Sequence, residues 1–343
     1  MTDTPYFTIA TDKVIDQYEY MQRFADTVNY SAKTNYDIIP VLEERTDAGF
    51  SVHFDHALGY IDDYQRVTFF LQGTSRDELT SLYEAGITTF VVDNEPDLAL
   101  IEQWIEDANP SITLYLRMQR REHTVQTGKH YVFGLSSTTV NEAIQRLADH
   151  NADLGVHVHR KTQNVAEWRL SDELDNALND TTLNTIDALN AGGGFPVQYK
   201  NYQRNTLSSI KQRFDDLKTW ASTHDIDVII EPGRIIAGPP GKLHATIINV
   251  YDDTVVLDTS VFNAAMDTFA TNTRLEIVGE NEDGDGHAYT VKGRTPDSLD
   301  IFRYKAWLDD PERGDTLTFK NATAYNYASD FCDLQQPLTE LTR

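Results

Sequence analysis

Three stretches of this chain carry side chains whose types and order suit one kind of chemistry. Lys33 stands in Tyr30-Ser31-Ala32-Lys33-Thr34-Asn35, three glycines run together in Gly192-Gly193-Gly194-Phe195-Pro196, and a turn reads Glu231-Pro232-Gly233-Arg234. A lysine amine condenses with a carbonyl carbon. Backbone N–H groups without Cβ atoms approach a phosphate closely, and Arg234 would add a guanidinium fork. A carboxylate favours the protonated form of a ring nitrogen beside it. Taken singly, each is ordinary: a lysine after a strand is commonly a solvated charge, and a glycine run a turn.

The elements that must position these groups follow from hydrophobic period. Short β-branched or aromatic runs occur at Tyr30–Thr34, Gly49–Phe54, Val67–Gln72, Thr88–Asp93, Ile112–Met118, Leu154–His159, Thr185–Asn190 and Asp227–Glu231. Amphipathic stretches lie between most of them, among them Arg76–Ala85, Glu95–Ala108, Thr138–His150 and Tyr202–Thr223. Strands alternating with helices predict parallel βαβ units, and eight such strands predict a closed (β/α)8 TIM barrel over residues 20–238. An open doubly wound sheet is the alternative. Barrel sites form at the C-terminal strand ends, and phosphates bind after strands seven and eight. The glycine loop follows the seventh candidate strand, the Glu-Pro-Gly-Arg turn follows the eighth, and Lys33 ends the first.

Beyond Gly238-Pro239-Pro240-Gly241 the texture changes to short β-rich segments: Lys242–Tyr251, Thr254–Asp258, Arg274–Val278, Ala288–Lys292 and Thr316–Lys320. They predict a mostly antiparallel C-terminal β domain over 239–343, joined by 1–19, with Tyr6–Thr11 adding a strand.

Composition narrows the function. A net charge of −25 argues against phosphate-backbone binding, so no nucleic-acid partner is expected. The dispersed acid suits either a salt-laden cytoplasm or an ordinary acidic enzyme. No run of 18 apolar residues and no leader pattern stands out, which predicts a cytoplasmic protein without a membrane partner. Cys332 is the only cysteine, so neither an internal disulfide nor a cysteine metal cluster is available. Gly238–Lys242 lacks the first glycine of a P-loop and has Leu243 at the hydroxyl position, and Asn281–Gly286 reads as a hairpin turn before a calcium loop. His157 and His159 would bind metal only with a third ligand, and no metal is expected.

With these residues in order, the chain resembles the fold-type III pyridoxal 5′-phosphate enzymes, the ornithine/diaminopimelate/arginine decarboxylase family. The lysine segment resembles Y-x-x-K-x-N, which implies that Lys33 forms the Schiff base with the cofactor. Gly155-Val156-His157-Val158-His159 resembles G-x-x-F-H, which implies that His159 stacks on the cofactor ring and that Thr162 replaces a phosphate-binding serine. Gly192–Pro196 and Glu231–Arg234 match without gaps, implying Gly192, Gly193, Gly194, Gly233 and Arg234 at the phosphate and Glu231 at the pyridine nitrogen. Asn321–Tyr325 resembles D-x-G-A-Y, whose tyrosine, here Tyr325, contacts the phosphate. Gly293–Asp300 resembles G-P-x-C-[DE]-S-x-D, a loop that in the family crosses to the partner subunit, so a homodimer with shared sites is implied.

Two positions depart from the pattern. Pro296 replaces the loop cysteine implicated as proton donor, and Cys332 lies too far along to stand for it. Ser51 replaces the acidic residue of the strand-two segment G-F-D-x-A-S. The resemblance implies decarboxylation of a basic amino acid such as ornithine, lysine or arginine, giving a polyamine-type amine. Asp297, with Asp267 as a second candidate, would read the distal cation, although Asp267 could instead cap a turn. Diaminopimelate comes second as a substrate, then a siderophore precursor or carboxynorspermidine. A racemase and a non-catalytic cofactor-binding homologue are the readings from other classes.

Overall fold

A computed structural model describes residues 3–120, 133–160, 163, 168–202, 207–326 and 328–343. The chain divides into two compact units. One comprises Tyr18–Pro196 and Thr206–Gly233, the other Met1–Gln17, Val197–Asn205 and Arg234–Arg343. The division falls at Gly233/Arg234 instead of 238/239, and Val197–Asn205 belongs with the second unit. Tyr199 and Lys200 explain that assignment, bonding to Arg234 and to Arg274 respectively.

Strand β1 (Tyr6–Ala10) opens the chain and belongs to the second unit. The first unit is a closed parallel barrel of β2 (Thr27–Ser31), β3 (Gly49–Val52), β4 (Val67–Phe70), β5 (Thr89–Val92), β6 (Ile112–Arg117), β7 (Ala152–His157), β8 (Ala188–Asn190) and β9 (Asp227–Ile230). Pairing of β9 with β2 closes it, which removes the open sheet. Runs such as Phe69-Phe70, Val91-Val92 and Ile229-Ile230 are buried throughout, as parallel strands covered on both faces require. Phe70, Val91, Tyr115, Ala188 and Ile229 form one buried cluster. Gly155 makes room for it, because a Cβ there would lie 2.4 Å from the Tyr115 ring.

Helix ends are set locally. Arg76–Glu84 starts from a Ser75/Glu78 capping box. Glu95–Ala108 starts from Asn94 and stops at Asn109, whose φ of 43° is left-handed. The seventh barrel strand is shorter than expected, since the Ile186 N–H turns back to the Thr182 carbonyl before β8 begins.

The second unit is a seven-stranded sheet built from β1, β10 (Gly241–Tyr251), β11 (Thr254–Leu257), β12 (His287–Lys292), β13 (Ile301–Leu308), β14 (Thr316–Lys320) and β15 (Leu338–Thr342). Its order is β13-β12-β11-β10-β1-β15, with β14 also on β10. The β1–β15 and β11–β12 pairs are parallel and the rest antiparallel. Arg274–Val278 is not a strand. Only Ile277 bridges β14, because the Arg274 N–H bonds to the Asn201 side chain and cannot extend a ladder. The strands β13 and β15 and the short helices Val261–Ala264 and Met266–Thr271 were not legible beforehand.

Candidate active site

In the barrel unit the polar residues gather at the C-terminal strand ends. Lys33 follows β2 on a single turn, Ala32–Thr34, fixed from both sides. The Tyr30 hydroxyl donates to the Asn35 carbonyl at 3.0 Å, and Asn35 Oδ1 accepts from the Asp37 N–H at 2.9 Å. Lys33 is open to solvent, with its Nζ 3.2 Å from His53 Nε2. Desolvation by the surrounding protein holds its ammonium below the ordinary lysine value; Glu231 opposes this and Arg117 adds to it.

Glu231 stands just past β9, where Pro232 ends the strand by lacking an N–H. Its carboxylate is buried and receives three side-chain donors among the described residues. Ser51 Oγ (2.8 Å) and Asn190 Nδ2 (2.9 Å) donate to Oε1, and His157 Nε2 (3.1 Å) to Oε2. Burial alone would raise its pKa, but His157 and then Ser51 outweigh that and hold Glu231 ionised. A carboxylate only accepts, so His157 carries its proton on Nε2. That leaves His157 Nδ1 a buried lone pair without a hydrogen-bond partner among the described residues. His157 thus serves Glu231 through Nε2. Arg117 on β6 pairs with Asp93 after β5 at 3.3 Å and puts a fixed cation near this cluster.

The glycine loop behaves as close approach demands. Gly192 has φ +66° and Gly194 φ +99°, both in the left-handed range. A Cβ on Gly192 would meet the Val158 carbonyl at 2.3 Å, and one on Gly193 the Glu231 carbonyl at 2.6 Å. A Cβ on Gly233 would come within 2.1 Å of Thr34 Oγ1, itself buried without a partner among the described residues. The Gly192 N–H is committed to Asn190 Oδ1 at 3.0 Å, so the role of Gly192 is conformational. The Gly193 N–H reaches His159 Nδ1 only at 3.4 Å, a bond long enough to exchange for a better acceptor.

Three imidazoles lie close together here, and burial is the largest cause holding each below the ordinary value of 6.5. His53 is pushed down to about 3, with the Lys33 charge as the next cause. Such groups bind fewer protons folded than unfolded, so stability falls as pH drops below about 6.5, by up to about 1.4 kcal/mol per pH unit for each. Glu231 contributes only at lower pH: its stabilisation is full above its ordinary 4.5 and is lost as pH falls from there through its lower folded value. Urea unfolding of the cofactor-free protein should therefore give a stability that declines steadily from about pH 7 to about pH 5. A flat profile would mean that these histidines are protonated in the native state.

In the second unit Arg234 is buried, with NH1 on Asp267 Oδ2 at 2.5 Å, NH2 on Asp267 Oδ1 at 2.9 Å, and NH1 also on the Tyr199 hydroxyl at 3.1 Å. Its guanidinium lies 4.8 Å from the Tyr325 ring centroid. Tyr325 itself has φ +58°, an unfavourable conformation that marks a constrained position. Asp267, expected to read a substrate's distal cation, instead has both oxygens engaged by Arg234, and it does not cap its helix. Asp267→Ala should cost about 3–5 kcal/mol in urea unfolding, because it strands a buried guanidinium. A loss below about 1 kcal/mol would be the surface-pair value and would show that Arg234 finds other partners.

Asp297 is half-buried, and its Oδ1 accepts from the Leu299 N–H at 2.7 Å, shaping its own turn. The loop is pinned by Asp300, fully buried, which accepts from the Val261 and Thr295 N–H groups and the Thr295 hydroxyl. Thr162 lies outside the described residues. Sequence reasoning missed His53, Asn190 and Arg117. A polar residue at or just past a barrel strand's C-terminal end was the available signal for each.

A parallel barrel with an accessible lysine, an ionised buried carboxylate and a Cβ-free glycine loop at one set of strand ends defines a phosphate-bearing, carbonyl-type cofactor site. The residues fit pyridoxal 5′-phosphate, with Thr34 Oγ1 and His157 Nδ1 beside them, both buried and without a partner among the described residues. The family described as "Pyridoxal-dependent decarboxylase, pyridoxal binding domain" matches residues 12–238. The diaminopimelate decarboxylase of Bacillus subtilis is 26% identical over 292 residues, covering 77% of this chain and 66% of that protein. The chain thus spans slightly under two thirds of that relative. Helicobacter pylori diaminopimelate decarboxylase complexed with L-lysine superposes with a TM-score of 0.83 at 18% identity, covering 100% of this chain and 92% of that one. The Paramecium bursaria Chlorella virus arginine decarboxylase gives 0.82 at 15% identity, covering 99% and 96%. At such identities the structural likeness is one of fold. The chain belongs to the pyridoxal-dependent decarboxylase family, and pyridoxal 5′-phosphate is its cofactor.

Proposed function

We propose that the protein removes the α-carboxylate of a basic amino acid as carbon dioxide, giving a polyamine-type amine. The carrying observation is the donor set on Glu231. A carboxylate offers about four acceptor positions, and Ser51, Asn190 and His157 use three. The fourth, on Oε2, suits a protonated ring nitrogen, and the ionised Glu231 keeps that proton in place. Pyridoxal 5′-phosphate supplies the electron sink that stabilises negative charge at Cα. Lys33 holds the cofactor through Nζ and, when released, handles protons at Cα. His159, held neutral, offers a ring face for stacking, and Gly193, Gly194 and Gly233 leave space for the phosphate. Arg234 and Tyr325 are proposed as further phosphate groups.

Asp297 is proposed to bind the distal ammonium or guanidinium, acting in the partner subunit's site of a homodimer. Asp297→Ala should then lower kcat/KM for the basic substrate by about 10²-fold, as loss of a buried charge's partner implies. Mixing it with Lys33→Ala subunits should restore about a quarter of the activity, since random pairing leaves half the dimers with one intact site of two. No recovery despite subunit exchange would move Asp297 out of the partner's site.

A second reading is meso-diaminopimelate, favoured because the Bacillus subtilis relative is a diaminopimelate decarboxylase. Carbon dioxide release from ornithine, lysine, arginine and meso-diaminopimelate tests both. Turnover of a simple basic amino acid supports the first reading, and turnover of diaminopimelate alone supports the second. None of the described helices is long and apolar enough to cross a membrane. The net charge of −25 supports work in a salt-rich cytoplasm, and activity that rises with potassium chloride would bear on that.

A further inference from the structure

We propose that His53 is the proton partner of Lys33, taking the lysine's proton when its amine must be free and returning it later in the cycle. The inference rests on Lys33 being the cofactor's lysine. In the segment resembling G-F-D-x-A-S, His53 falls at the alanine position.

The geometry holds the ring for that task. His53 Nε2 lies 3.2 Å from Lys33 Nζ, and its ring stacks on Phe70 with centroids 4.1 Å apart and planes 8° from parallel. His53 also lines a cavity of about 800 Å³ between the loops after β3 and β4 and the helix Arg76–Glu84. Its Nδ1 is buried without a hydrogen-bond partner among the described residues. Two basic nitrogens this close cannot both be charged, so the pair shares one proton. While Lys33 is an ammonium, Nε2 accepts from it and Nδ1 carries the ring's hydrogen.

For the amine to act as a nucleophile, one Nζ–H bond breaks and its electron pair stays on Nζ. The proton goes to the Nε2 lone pair, and the imidazole becomes an imidazolium. Loss of the lysine's charge removes one of the causes that keep His53 neutral. Among the other groups acting on the ring, Glu231 favours the imidazolium, while Arg117 and His157 oppose it. Asp55, His56, Asp77 and Glu78 line the same cavity as His53. Burial persists, so the imidazolium is short-lived and the proton goes back from Nε2 to Nζ.

The test uses the cofactor-free protein. Its recombination with pyridoxal 5′-phosphate, followed by visible absorbance, should speed up with pH as Lys33 deprotonates. His53→Phe keeps the stacking on Phe70 but removes the acceptor, so the midpoint should fall by about one pH unit. His53→Gln offers a carbonyl acceptor but no proton exchange. Its midpoint should stay at the wild-type value while kcat falls about 10²-fold with KM little changed. A His53→Phe midpoint equal to wild type would overturn the contact, and a His53→Gln kcat equal to wild type would reduce His53 to a hydrogen-bond post. Wild-type protein that does not take up the cofactor at Lys33 would overturn the underlying reading, independently of His53.

Discussion

Replacing Lys33 by alanine should remove covalent cofactor attachment and lower kcat by about 10³-fold or more, since one residue both holds the cofactor and exchanges protons. Borohydride treatment of the wild-type protein should fix pyridoxal 5′-phosphate to the peptide containing Lys33, and the variant should give no labelled peptide. The expectation comes from placement: Lys33 is accessible at the end of β2, on a turn fixed by Tyr30 and Asn35, with His53 against its amine. Labelling of a different lysine in the wild-type protein would overturn the assignment.

Glu231→Gln should keep the cofactor bound yet lose about 10²- to 10³-fold in kcat, the size of effect seen when a preorganised electrostatic partner is removed. Binding is expected to survive because the proposed phosphate contacts lie elsewhere, on the glycine loop and Gly233. The substitution also disturbs a local network. The amide nitrogen of glutamine cannot accept from His157 Nε2, or from Ser51 and Asn190, so one orientation or the other leaves a buried donor unpaired. A melting temperature measured beside the kinetics separates the two effects. Unchanged turnover would mean that this carboxylate does not face the ring nitrogen.

The barrel was legible because strand and helix periods are local. Ile112–Met118 and Asp227–Glu231 read as strands from their β-branched runs, and the structure trims each by a single residue at its C-terminal end. The tail was less legible. The second unit's sheet pairs β1 with β15 across nearly the whole chain, and no local pattern announces such a partner. Arg274–Val278 has strand composition, yet one side-chain bond from Asn201 takes the N–H that a ladder would need.

The sequence by itself determined the chemical inventory and its order along the strands: an amine after the first, a glycine loop after the seventh, a carboxylate after the eighth. It also placed Pro296 at the cysteine position of the loop that resembles G-P-x-C-[DE]-S-x-D. Only the tertiary structure decided what each group is bound to. Ser51 and Glu231, 180 residues apart, meet because the barrel closes. That meeting, with Asn190 and His157, fixes the charge of Glu231 and the tautomer of His157. Closure also sets His53 beside Lys33, and the fold of the second unit spends Asp267 on Arg234. Residue type announces which groups can donate or accept, but a hydrogen bond depends on distances of a few tenths of an ångström between distant segments, and only the packed fold sets those.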